Sequence, residues 1–308
     1  MLRAFKTLCV LLCLGALASA ADVVVDPSSN IPAAVRLLAD GDTLTLKPGM
    51  YDALCFRRSL RNITVRAQYP GRAWIRPRPP YECGVYSPND VPMYGLTLEG
   101  LDITAPVNGV NFWGSQDITV RDCHVHNCGH LGLALHYCDG TTIRGSLLEG
   151  NAKHATYLSG DRITVRDCLI RNNGRSAVHL WPFATRAIVS GNLILNHPNG
   201  AGVVYQRTSE DVDPANANRV TRNTIIKAIN GVQALGGIGD VIADNTAVSC
   251  TWGVNLQQPA GRVYLDGNIG SPLYNPSGRG YVLPPATQPA VSRAGAWRGV
   301  TSQPAEAP

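Results

Sequence analysis

The sequence predicts an all-β fold, a right-handed parallel β-helix of three-stranded rungs about 22 residues long, with a short N-terminal helix as its cap. Three observations carry that expectation. From Gly95 onward one pattern recurs: a β-rich stretch, a polar turn, a second short apolar stretch, an Asn or Gly turn, then Gly-apolar-x-apolar-x. Its anchor residues are Leu98, Val120, Ile143, Val165, Val189, Val220, Ile242 and Leu265, so the steps are 22, 23, 22, 24, 31, 22 and 23 residues. Turn residues align as well: Cys123, Ser146, Cys168, Asn192, Asn223, Asn245 and Asn268 form one column, and Asn127, Asn151, Asn172 and Asn196 a second, as stacked small and amide side chains do. Finally, a three-strand unit this short cannot bury its apolar face alone, whereas stacked copies share one continuous core.

Residues 1–20 read as a signal peptide, with Arg3 and Lys6 before an apolar run from Leu8 to Leu17 and a small-residue cleavage site at Ala18-Ser19-Ala20. That run is too short to span a bilayer, and no later segment is long and apolar enough to insert. A secreted or periplasmic protein is therefore expected, without membrane insertion. The β-helix domain covers residues 21–275. Asn30-Ile31-Pro32 starts the capping helix, which runs through Leu38 with Gly41 as its stop. Thr43 to Leu46 and Ile63 to Val65 supply early rungs, and Pro77, Pro79 and Pro80 interrupt the pattern before it becomes regular. The 31-residue step marks a projecting loop from about Gln206 to Ala217, and residues 276–308 form a Pro/Ala/Gly-rich closing segment and tail.

Charge excludes one class of partner. The 27 Lys and Arg, less Arg3 and Lys6, leave 25 against 22 Asp and Glu, and they scatter along the chain rather than lining one helix. Nucleic acid is thus not expected as a partner, whereas a neutral or acidic polysaccharide is compatible. A monomer is expected. The nine cysteines, less Cys9 and Cys13, leave an odd number, so at least one thiol stays unpaired. If bridges form, Cys55 with Cys83 and Cys128 with Cys138 are the pairs to test, while Cys123 and Cys168 read as core.

In the Gly-apolar-x-apolar-x strand the x positions point outward. They sort into two columns: Asn111, Ala134, Tyr157, His179, Val204, Gln233 and Asn255, then Trp113, His136, Ser159, Trp181, Gln206, Leu235 and Gln257. Neighbours in a column lie about 4.8 Å apart, which sets Tyr157 beside His179 and near His136 and Trp181. Lys153, His154 and Arg175 precede the same strands, and Arg207 follows one of them. Aromatic residues commonly tile sheet surfaces. Together with exposed Trp faces that suit sugar rings, however, this cluster reads as a glycan groove.

These residues resemble the pectin-lyase-like superfamily of right-handed parallel β-helix proteins across nearly the whole mature chain. Leu38 to Tyr51 is similar to that group's opening rung, Ile163 to Asn173 to its standard repeat, and Gln288 to Gly295 to a diverged closing element. The resemblance implies a polysaccharide-active protein, with β-elimination of a uronate-containing chain as the leading reaction. That chemistry needs a cation to neutralise the carboxylate, a base for the C5 proton and an acid for the leaving oxygen. Tyr157 and His179 are the candidate base and acid, and Arg175 and Lys153 complete the catalytic set as cations. Trp113, His136, His154, Trp181, Gln206 and Arg207 are the candidate substrate-binding residues.

Other readings stay open. The Asp-Pro-His motif of alginate epimerases and the clustered aspartates of polygalacturonases are absent, so no residue role transfers by motif. A hydrolase would need paired carboxyl groups, for which Asp139, Asp161, Glu210, Asp211 and Asp213 are the weaker candidates. A non-catalytic glycan-binding β-helix would use the same Trp face. Calcium, common among lyases of the superfamily, would find oxygen ligands in the loop acids. The segment Cys123-His124-Val125-His126-Asn127-Cys128, with His130, His136 and Cys138 nearby, has no standard zinc spacing. His126 with Glu149 and Arg171 reads instead as a surface charge ladder, and no metal ligand is assigned.

Overall fold

A computed structural model describes residues 20–206, 217–257, 263–275 and 281–282. The chain winds as the repeat predicts, each turn supplying one short strand to each of three parallel ladders. The first ladder is a 12-stranded sheet, starting at Asp22–Val25 and Thr43–Leu46 and continuing through Thr97–Glu99, Thr119–Arg121, Thr142–Arg144 and Thr164–Arg166. The second ladder contains Leu101–Ile103, His124–His126, Leu147–Glu149 and Leu169–Arg171; the third contains Val110–Trp113, Leu133–His136, Thr156–Asp161 and Val178–Thr185. Pairing is parallel throughout, as in Val120↔Ile143 and Ile143↔Val165. At Leu193–Gln206 and Thr224–Leu235 the second and third ladders run together as single long strands, which joins them into one 18-stranded sheet.

Alternation decides what faces inward. Val120, Ile143, Val165, Val189 and Ile242 are fully buried one above another, as are Val125, Leu148, Ile170 and Ile194 on the second ladder. Each fully buried aliphatic side chain contributes roughly 1.5–3 kcal/mol. The first turn column is present as expected. Asn192 donates through Nδ2 to Asn223 Oδ1 at 2.9 Å, Asn223 to Asn245 at 2.9 Å and Asn245 to Asn268 at 3.0 Å. These buried amides satisfy turn backbone groups that no strand partner reaches.

The second column corrects the sequence reading. Asn151 is buried and bonds to Asn173 Oδ1 at 2.8 Å, whereas Asn127, Asn172 and Asn196 are exposed turn residues with φ of 50°, 57° and 58°. Two adjacent positions had merged into one. The outer position adopts the left-handed conformation that Asn tolerates, and the next turns its amide into the core. The helix spans Ile31–Leu37, capped by Asn30 Oδ1 accepting from the Ala33 N–H at 3.0 Å, and Leu38 is its C-terminal cap, within one residue of the expected end, with Gly41 behind it at φ 88°. Its buried Ile31 and Val35 close the N-terminal end of the core.

Cys55, Cys83, Cys123, Cys128, Cys138, Cys168 and Cys250 are all free thiols, so neither candidate bridge is formed. Cys128 and Cys138 each turn their sulfur to a backbone carbonyl of their own turn, that of His126 and that of His136 respectively. The expected signal peptide before Ala20, the expected loop with Arg207, Glu210, Asp211 and Asp213, and the expected tail apart from Tyr281–Val282 lie outside the described residues. No helix among the described residues is long and apolar enough to cross a membrane.

Candidate functional site

The first outward column has the predicted register. Asn111 pairs with Ala134, Ala134 with Tyr157, Tyr157 with His179, and His179 with Val204. The second holds at its start, where Trp113 pairs with His136, and at its end, where Gln206 pairs with Leu235 and Leu235 with Gln257, but it breaks between them. There the register shifts: Leu158 faces Leu180 but Gly160 faces Ala184, so Trp181, Pro182 and Phe183 stand opposite Ser159 alone. This bulge accounts for the 24-residue step between Val165 and Val189. Ser159 is consequently buried rather than outward, its Oγ accepting from the Tyr137 backbone N–H at 2.8 Å.

The rings form a continuous row. Trp113 stacks on His136 with centroids 4.8 Å apart, His136 lies 5.3 Å from Tyr157, and Tyr157 lies 4.9 Å from His179 and 5.0 Å from Trp181. His154 sits beneath, 6.0 Å from Tyr157 and 4.5 Å from His179, with His179 Nδ1 3.3 Å from His154 Nε2. Six of the predicted residues therefore converge. His154 and His179 are only 8% and 7% exposed, so Tyr157 and Trp181 present more surface than the imidazoles behind them.

Sequence reasoning missed a second aromatic line. Tyr137 is 5.2 Å from Trp113 and 5.7 Å from Phe183, and these three rings are 40–45% exposed. Tyr137 and Phe183 hold φ of 52° and 72°, a conformation uncommon for bulky side chains that turns each ring outward at a turn or bulge. The sequence signal was the step of 24, whose two extra residues had no place in the regular rung.

Burial sets the protonation states. Removal from water holds His154 down at about 3, helped by its neighbours His179, Arg175 and Lys153, so it is neutral near pH 7. Burial also lowers His136. Tyr157 is pushed up to about 12 by burial and then by Tyr137, which keeps its phenol protonated.

Lys153 and Arg175 flank the row at exposed turn positions, one rung apart, with Arg175 N–H donating to Lys153 O at 3.0 Å and Lys153 N–H to His130 O at 2.8 Å. Neither is ion-paired among the described residues, in contrast to Arg66, Arg121 and Arg186, which meet Asp22, Glu99 and Asp161. Gln206 reaches the sheet through its backbone, paired with Leu235. The hydrolase candidates in view are occupied: Asp161 accepts from Arg186 and Thr185 and is lowered chiefly by Arg186, and Asp139 Oδ1 accepts from the Asp161 backbone. A cavity of about 440 Å³ near the N-terminus is lined by Asp22, Thr45, Arg66 and Glu99, far from the row, and there Arg66 already satisfies Asp22 and Thr45.

These features define a right-handed parallel β-helix with one ring-rich outer face. The chain matches the family described as "Right handed beta helix region" over residues 108–269, more than half its length, and belongs to it. No curated protein matches it by sequence. Among solved structures it is similar to the alginate lyase of Paenibacillus sp. strain FPU-7, at 13% identity and a TM-score of 0.69 over 85% of this chain and 99% of that one. It is also similar to the mannuronan C-5 epimerase AlgE6 A-module of Azotobacter vinelandii (15% identity, TM-score 0.55, 86% of this chain and 97% of that one). The endo-xylogalacturonan hydrolase of Aspergillus tubingensis is a third such structure (9% identity, TM-score 0.60, 85% and 99%). Identities this low establish the shared fold; the chemistry rests on the site.

Proposed function

We propose that this protein is an exported polysaccharide lyase that cleaves a uronate-containing chain by β-elimination on the Tyr157 face. The observation that carries this reading is the pairing of a protonated phenol with two cations that have no ion pair among the described residues, beside two imidazoles in edge-on contact. Arg175 and Lys153 neutralise the uronate carboxylate and so acidify the C5 proton. His179 accepts that proton, a C4–C5 double bond forms as the C4–O4 bond breaks, and Tyr157 donates its phenolic proton to the leaving oxygen. The raised pKa of Tyr157 favours this acid role over that of base. Trp113, Tyr137, Phe183 and Trp181 supply apolar faces for neighbouring sugar rings. Two of the solved structures named above are described as an alginate lyase and a mannuronan C-5 epimerase, which supports an acidic polysaccharide as substrate.

The test is incubation with alginate, pectate and glycosaminoglycans, with and without calcium, followed by ultraviolet absorbance of unsaturated chain ends. A rise that Tyr157→Phe abolishes is expected. Silence across the panel sinks the lyase reading. The exposed aromatic line then favours a glycan-binding β-helix, recognised by saturable binding without turnover.

A further inference from the structure

The outer face of the second ladder carries a different cluster, independent of the proposed lyase site. His124 and His126 are two residues apart on one strand, so both imidazoles leave the same side, stacked with centroids 4.0 Å apart and planes 17° from parallel. One rung away His124 pairs in register with Asp102, and on the other side His126 pairs with Glu149. Asp102 Oδ2 lies 3.1 Å from His124 Nδ1, and Asp102 Oδ1 lies 3.0 Å from His126 Nε2.

The geometry points to a divalent transition-metal site, of the zinc or cobalt type, held by Asp102, His124 Nδ1 and His126 Nε2. One ligand atom from each residue lies within 4.8 Å of the others. Donors about 2.0–2.2 Å from a tetrahedral ion stand roughly 3.3 Å apart, so the 3.1 Å between Asp102 Oδ2 and His124 Nδ1 needs only a small adjustment. Two imidazoles with one carboxylate favour such an ion over calcium or magnesium, which prefer oxygen. The surroundings already orient the ligands. His124 Nε2 is 2.9 Å from Glu149 Oε1, a carboxylate-histidine arrangement that directs Nδ1 toward the ion, and Arg171 Nε holds Glu149 Oε2 at 2.5 Å. Asn127 Nδ2 lies 2.9 Å from His126 Nδ1 and leaves Nε2 facing Asp102. Arg76 donates to Asp102 Oδ1, so Oδ2 is the oxygen available to the ion, and the Arg76 guanidinium and Thr104 Oγ1, 3.5 and 3.3 Å from His126 Nε2, must turn aside as the metal enters. Bound there, the metal joins successive rungs.

Titration of the tag-free full-length protein with Zn²⁺ by calorimetry, and with Co²⁺ by visible absorption, tests the site. One equivalent per chain is expected, with a cobalt ligand-field band and a Zn²⁺-dependent rise in Tm, and with no response to Ca²⁺ or Mg²⁺. His124→Ala and His126→Ala should each weaken binding at least tenfold. Glu149→Gln, which keeps all three ligands, should weaken it about 10-fold to 100-fold. Circular dichroism of each variant separates lost binding from lost fold. Absence of saturable binding by the folded wild type overturns the proposal, as does binding that survives His126→Ala but is lost in His154→Ala.

Discussion

The outer faces of the second and third ladders rise from the same coil, and both bring two histidine rings within 4.5 Å of each other, yet their charges are arranged in opposite ways. On the second, Arg76, Asp102, His124, Glu149 and Arg171 close on one another, so each charged group has a partner. On the third, Lys153 and Arg175 have no described carboxylate, and His154 is held neutral by burial. A ladder that satisfies itself has little electrostatic reason to bind an anion. A row left with unpaired cations and exposed rings does, and this contrast selects the third face for an acidic glycan.

The largest expected effect falls on that face. Tyr157→Phe removes the proton donor and should lower kcat/KM by about 10²-fold to 10⁴-fold in the unsaturated-end assay, with glycan affinity nearly unchanged. Full activity in this variant would remove Tyr157 from the chemistry. Arg175→Ala should cost roughly 10-fold to 100-fold in kcat/KM on an acidic chain, the value of one charge-assisted hydrogen bond of about 1.5–3 kcal/mol. Binding of a neutral glycan should be spared, and equal losses on both would break the proposed role of the cation.

The pH dependence of stability has a defined sign. His154 takes up its proton near its ordinary value of 6.5 when unfolded but only at about 3 when folded. Between those values the unfolded chain binds more protons, so stability rises with pH and is lost as pH falls from 6.5 toward 3. His136 and His197, also lowered by burial, act in the same direction. The drop in Tm over that window should be smaller in His154→Gln, and an unchanged slope would mean that His154 is not the buried neutral group described. The smallest effect belongs to the second face. Arg171→Ala should cost under about 1 kcal/mol in denaturant unfolding, because its ion pair with Glu149 is partly exposed. A larger loss would mark this ladder as a structural clasp even without metal.

The rung length, the buried amide column and the register of Tyr157 with His179 were legible because a strand alternates every two residues and a solenoid repeats one unit. Local periodicity therefore fixes which residues stack. Merging Asn127 with Asn151 shows the limit: adjacent turn residues look alike in sequence but differ in φ, and only one enters the core. Asp102 was missed for a related reason. It joins His124 and His126 from the neighbouring rung, and nothing in the Cys-His-Val-His segment itself indicates a carboxylate.

By itself the sequence determined the coil, its inward aliphatic stacks and the row of rings on one outer face, since all of these follow from a short repeat in which every rung solves the same burial problem. Tertiary structure decided the rest. The bulge at Trp181 to Phe183 broke the second column and brought the Trp181 ring against Tyr157, and burial neutralised His154 while neighbouring rungs saturated the His124 ladder. Desolvation and ion pairing depend on what lies across the rungs, about 22 residues away along the chain, where a linear reading of neighbouring residues does not reach.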